Sequence, residues 1–268
     1  LITHPTNFGY NAQIVNNLAK SYLFFKKTGR SLNSCSILSA LSRVGIKALK
    51  YDIRYKPAFA AIFVTLDPGE TITAEAGAMT SMDAQLSMQT KFSGGLIPAL
   101  LKKFLGGESL FVNTFTNRTQ KSLTLVLTQS TIGDIGRIDL SQGDICLQPG
   151  AFVAHSAGVK MGLQWAGIKS WLAGEGLFKL KLSGSGRAFF GCYGGITKKQ
   201  IQGEFIVDSG HLVAYEPKIK MSIGLAAGLV GSVTSGEGLV NRLSGTGDIY
   251  LQSRSIDGLV RYLRSQVK

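Results

Sequence analysis

Three histidines and three cysteines are the residues of this chain best suited to ligate metal or attack a substrate. His4, His155 and His211 form no HxH, HxxxH or His-carboxylate pattern, so no metal site is expected. Cys35, Cys146 and Cys192 form no CxxC motif and no even framework, which points to a reducing compartment without structural zinc. Neither Cys146 nor Cys192 has a base beside it, and no GxSxG is present. Ser185 in Gly184-Ser185-Gly186 reads as a hairpin turn residue rather than a nucleophile. None of the glycine motifs is GxxxxGK[ST], so a phosphate loop is not expected. The expectation is a protein that is not an enzyme, with no catalytic, cofactor-binding or metal-binding residue and no cofactor.

The most regular charged feature is a Gly-Glu-Ser/Gly-Leu segment that occurs three times and carries Glu108, Glu175 and Glu237. Carboxylates gathered near one axis would repel and could hold a cation or a basic partner. The favoured reading is that each caps a turn or pairs with a nearby Lys or Arg.

These residues belong to a larger repeat. Gly77, Gly150 and Gly210 each have an apolar residue two places on and a methionine eleven places on, at Met88, Met161 and Met221. Upstream lie Gly69-Glu70, Gly143-Asp144 and Gly203-Glu204. Such self-similarity means one supersecondary module used three times. The copies are 73 and then 60 residues apart, so a solenoid of fixed period is excluded. Closure around an approximate threefold axis is expected, since closure removes unpaired sheet edges.

Alternating apolar residues predict short strands from Tyr51 onward, with Asp67-Pro68-Gly69 and Asn117-Arg118-Thr119 as turns. The modules are placed at about 51–130, 131–195 and 196–252. Between its methionine and its Gly-Glu pair, each carries an apolar insert: Leu96 to Leu105, Leu163 to Leu172, and Ile223 to Val233. Pro98 and the following glycines bracket the first as a short helix or apolar loop. The inserts look too apolar for free loops and unlike ordinary hairpin turns. A C-terminal helix is expected over 255–266, with Ser255 as N-cap and Ile256, Leu259, Val260 and Leu263 on one face.

The net charge of +13 is uneven. Residues 1–51 hold seven Lys or Arg and no acid, which leaves 22 basic and 16 acidic residues, or +6, for the rest. The charge is therefore weak support for a nucleic-acid or anionic-membrane partner. Residues 1–50 read as a poorly ordered or spurious leader, with an organelle transit peptide as the alternative. Removing residues 1–48 should leave stability nearly unchanged. No apolar run reaches transmembrane length.

The combination of Glu75-Ala76-Gly77-Ala78-Met79, the Gly-Glu-Ser/Gly-Leu triple and the Leu-Ser-Gly-x-Gly pair at Leu182 and Leu243 resembles the AIM24 family. The resemblance covers about Tyr51 to Lys268. It implies the fold of the superfamily similar to the tryptophan RNA-binding attenuation protein. The expected fold class is all-β: a pseudo-threefold β-sandwich or barrel of three repeated modules, with short apolar helical inserts and a C-terminal helix. The family brings no established catalytic residue, and its mitochondrial members are linked to inner-membrane organisation.

The functional expectation is a non-enzymatic scaffold or interaction protein, acting through a protein partner, self-association or a membrane-associated assembly. Residues 51–268 form its single domain, and a cytoplasmic location is expected unless residues 1–50 direct import into an organelle. Its candidate interaction face is formed by the inserts: Leu100, Leu101, Lys102, Lys103, Phe104, Trp165, Lys169, Trp171, Leu225 and Leu229. The same residues packed on one another would instead form a plug. RNA binding is the alternative by analogy of fold, with Lys179, Lys181, Lys198, Lys199, Lys218 and Lys220 near Phe178, Tyr193 and Tyr215. It is disfavoured because alternating lysines on a strand usually form a solvated face.

Overall fold

Alternation of apolar and polar residues becomes a strand almost everywhere it occurs. The computed structural model describes residues 49–92, 111–148, 150–165, 178–225 and 239–267. The chain divides into two units between Ala48 and Leu49. All that follows concerns the second.

Strand β1 (Lys50–Arg54) leads into the first module, β2 (Ala61–Leu66), β3 (Thr71–Glu75), β4 (Met79–Met82), β5 (Ser87–Phe92), β6 (Phe111–Thr116) and β7 (Leu123–Thr128). The second holds β8 (Ile135–Asp139), β9 (Ile145–Leu147), β10 (Phe152–Ser156), β11 (Val159–Trp165), β12 (Phe178–Gly184) and β13 (Arg187–Gly191). The third has β14 (Ile196–Asp208), β15 (Leu212–Tyr215), β16 (Lys220–Leu225) and β17 (Leu239–Gln252). Here β14 runs through what are the first and second strands elsewhere, and β17 through the fifth and sixth.

The pairing is the same in every module. First and sixth strands pair (β2 with β7, β8 with β13, β14 with β17), and so do third and sixth (β4 with β7, β10 with β13, β15 with β17). The fifth strand lies between the second and the fourth (β6 between β3 and β5, β12 between β9 and β11, β17 between β14 and β16). The register repeats as well. Met88 lies opposite Phe115, Met161 opposite Leu182, and Met221 opposite Leu243. Those three partners are fully buried. Each third strand also slips register at the same place, between Met79 and Ser81, Phe152 and Ala154, and Leu212 and Ala214. The extra residue bends the strand locally.

Modules join by exchanging a strand neighbour. β10 of the second pairs with β3 of the first, and β15 of the third pairs with β9 of the second. Three sheets result, in the orders β1-β2-β7-β4, β5-β6-β3-β10-β13-β8 and β11-β12-β9-β15-β17-β14, with β16 also on β17. Between the sheets lie three apolar clusters, built around Phe115, Leu125 and Phe189, around Leu147, Leu182 and Phe190, and around Ile201, Tyr215 and Leu243. Tyr51 meets Phe189 edge-on at 4.9 Å between ring centroids, and Phe190 meets Tyr250 at 5.1 Å.

The three repeat glycines do not share one conformation. Gly77 and Gly150 have φ of 95° and 74°, the left-handed turn that favours glycine. Gly210 instead sits in a 3-10 turn, Ser209–His211, where a Cβ would come within 2.7 Å of Ser255 Cβ. β1 ends at Arg54, where Tyr55 turns to φ 62°. The terminal helix α1 spans Ile256–Gln266, and Ser255 caps it by accepting from Gly258 N at 3.0 Å.

Candidate interaction surfaces

Among the described residues, His155, His211, Cys146 and Cys192 lie within the strands, turns and core. His155 is buried in β10, and its Nδ1 lies 2.8 Å from Ser156 O, so the ring donates there as a neutral imidazole. Burial pushes its pKa below the ordinary histidine value. His211 Nδ1 lies 2.8 Å from Gln252 O. Among the described residues no group of His, Cys, Asp and Glu is arranged to hold a metal. Cys146 and Cys192 are buried free thiols whose pKa is raised by burial, that of Cys192 to about 11. Cys192 Sγ donates to Gly194 O at 3.0 Å. Such thiols are poor nucleophiles at neutral pH. Asn117 holds its turn from within: its fully buried amide donates to Leu66 O and Lys121 O, each at 2.7 Å, and accepts from Thr119 N at 2.9 Å.

The inserts named as an interaction face connect fourth and fifth strands, which are antiparallel neighbours. The described pairs nearest the inserts are Phe92 opposite Phe111, Trp165 opposite Phe178, and Leu225 opposite Leu239. Trp165 and Leu225 thus end β11 and β16. Leu100, Leu101, Lys102, Lys103, Phe104, Lys169, Trp171 and Leu229 lie outside the described residues, as do Glu108, Glu175 and Glu237.

The lysines considered for RNA are largely engaged. Lys181 pairs with Asp144 at 2.8 Å, Lys198 with Asp248 at 2.7 Å and Lys218 with Glu216 at 2.7 Å. Lys179 is buried, with Nζ 3.2 Å from the Met221 sulfur and 5.1 Å from the Tyr215 ring centroid. Lys199 lies over Phe205, 5.0 Å from its centroid. Tyr215 is buried, so it offers no stacking face.

Two surfaces were not singled out in the sequence as sites. A pocket of about 620 Å³ is lined by Lys50, Lys56, Arg137 and Arg187 around Tyr51 and Asp52. Its cations have partners: Lys50 with Asp67 at 2.9 Å, Lys56 with Asp134 at 3.0 Å, Arg137 with the Tyr51 hydroxyl, and Arg187 with Leu49 O at 2.8 Å. Strand alternation carries no sign of this gathering, because it joins β1, β8 and β13. The second surface is helix α1. Its apolar face was legible, but its exposure was not: Ile256, Leu259, Val260 and Leu263 are 43%, 38%, 37% and 50% exposed. Arg254, Arg261 and Arg264 are exposed beside them.

Comparison with known proteins gives relatives without an assigned activity. A family model described as mitochondrial biogenesis AIM24 matches residues 51–254. An uncharacterised protein of Streptococcus pyogenes serotype M6 is 28% identical over 229 residues, covering 80% of this chain and 91% of that protein. A crystal structure of a Streptococcus pyogenes protein superposes with a TM-score of 0.67 at 25% identity, covering 82% of this chain and all of that one.

Proposed function

Because this chain belongs to the AIM24 family, we propose that it is a non-enzymatic scaffold in a membrane-associated assembly, with helix α1 as a docking element. The observation that carries this reading is the uncovered apolar strip of α1. A helix that buries its apolar side in its own protein would not leave Leu259 and Leu263 at 38% and 50% exposure. Arginines beside the strip suit an anionic bilayer, where apolar side chains enter the headgroup region and the cations meet lipid phosphates. The ion pairs of Lys181, Lys198 and Lys218 support a scaffold over an RNA-binding module. The reading takes the three modules as an approximately threefold, attenuation-protein-like body and includes self-association. Its location is cytoplasmic, or organellar if residues 1–50 direct import.

The test is flotation of the full chain with vesicles of phosphatidylcholine alone or with added phosphatidylserine. The parent protein should float with the anionic vesicles. A Leu259→Asp, Leu263→Asp variant should stay behind with an unchanged melting temperature, since both positions are exposed. Failure of the parent to float, or equal flotation of parent and variant, removes the reading.

A further inference from the structure

The rule that joins the modules leaves one strand of each kind over. The third strand of a module lies against the second strand of the module before it: β10 against β3, and β15 against β9. Among the described residues no module precedes the first, whose third strand is β4, and none follows the third, whose second-strand part is Gly203–Asp208 of β14. Both are terminal in their sheets, and among the described residues neither has a ladder on its outer edge.

Exposure records what is missing. Every residue of β10 and of β15 is buried, whereas β4 has none buried. Cys146 in β9 is 1% exposed because β15 covers it. Ile206 occupies the equivalent place in β14, four residues before the repeat glycine, and is 52% exposed. Natural edge strands are usually blunted by lysine, proline or an inward charge. Met79-Thr80-Ser81-Met82 carries none; the Gly203–Asp208 edge has no lysine or proline, and its two acids, Glu204 and Asp208, flank Phe205-Ile206-Val207. The bulge in β4 is no barrier, since β10 and β15 carry the same bulge and pair across it.

We propose that β4 of one copy of this chain adds to the outer edge of β14 of a second copy, continuing between molecules the joint that β10·β3 and β15·β9 make within one. The register follows from the two joints present. Ala154 opposes Ala74, and Ala214 opposes Leu147. His155 opposes Thr73, and Tyr215 opposes Cys146. Counted from the repeat glycines, Ser81 then opposes Val207, and Met82 opposes Ile206. Main-chain hydrogen bonds supply affinity in such strand addition, and covering Ile206 adds apolar burial. The two edges differ, so the contact is head-to-tail, and repetition closes a ring or extends a filament. The inference deepens the scaffold reading by naming a second copy as the self-association partner. It does not involve helix α1, so either idea can fail alone.

The experiment uses the full chain in a Cys35→Ser background, with Cys146 and Cys192 left in place because both are buried. Differently tagged Met82→Cys and Ile206→Cys chains are co-expressed and oxidised. A disulfide joining the two tags is expected, and its absence overturns the proposal. The chain carrying both substitutions should give intermolecular ladders. A disulfide confined to single chains would mean that β4 closes on its own β14, which also overturns it. In light scattering the parent should run at a multiple of the 28.6 kDa chain mass. Ile206→Lys should run at the single-chain mass with unchanged circular dichroism. A parent at single-chain mass, or a well-folded Ile206→Lys of unchanged assembly, overturns it as well.

Discussion

His155 shows how a residue suited to catalysis can be tied to stability instead. Its strand, β10, lies between β3 and β13, and its buried ring donates to a backbone carbonyl. Burial depresses its folded pKa, so the sign of the pH effect is fixed. Above about 6.5, the ordinary histidine value, both folded and unfolded chains hold a neutral ring. Below it the unfolded chain takes up a proton that the folded chain resists, and stability falls toward the lower folded pKa. The melting temperature should therefore drop as pH is lowered from 7.5 to 5.5, with a slope of at most about 1.4 kcal/mol per pH unit from this group. His155→Gln should flatten the curve. Parallel curves for parent and variant would rule out this role.

At the scale of elements, glycine sets where strands end and where they bend. In the first two modules a turn separates the first strand from the second. In the third, β14 runs straight through, and Gly203 stands directly opposite Gly245 of β17, with φ of 93° and 128°. Two facing glycines let both long strands bend together while the ladder continues. Glycines of positive φ are not all alike, however. A Cβ at Gly69 would meet nothing within 4 Å, whereas one at Gly186 would stand 2.6 Å from Ser156 Oγ and 2.7 Å from Ala157 O. Gly69→Ala should cost about 1 kcal/mol, from backbone strain alone. Gly186→Ala adds a clash with backbone and should cost about 2 kcal/mol or more. Urea unfolding of the two variants measures the difference, and equal losses would contradict it.

At the scale of the molecule, the modules are one cooperative structure because two of the three sheets cross module boundaries. β3 needs β10 from the second module, and β9 needs β15 from the third. Val153 and Phe189 of the second module fill the cluster that also holds Ile62, Leu66 and Leu125 of the first. The whole of this network falls after Ala48, at the boundary between the two units. Deleting residues 1–48 should leave the melting temperature of the body within a few degrees of the parent, since no pattern in that stretch matches a module. A loss of about 10 °C or more, equivalent to roughly 3 kcal/mol in a domain of this size, would show that the leader contributes to the fold.

What the sequence by itself determined is what is local and periodic. Alternation determined the strands, the eleven-residue spacing from glycine to methionine determined the repeated register, and Ser255 determined the start of α1. These depend on neighbours a few residues apart, so they can be read in order along the chain. Only the tertiary structure decided which strands of different modules touch, because pairing across a seam depends on bends and bulges that shift direction without changing composition. It put β10 against β3 and β15 against β9, and it left β4 and β14 at sheet ends. It also gathered Lys50, Lys56, Arg137 and Arg187 around one pocket from three strands and a turn. Exposure followed the same division. Cys146 and Ile206 hold equivalent places in the repeat; Cys146, with β15 beside it, is buried, and Ile206, at a sheet end, is open to solvent.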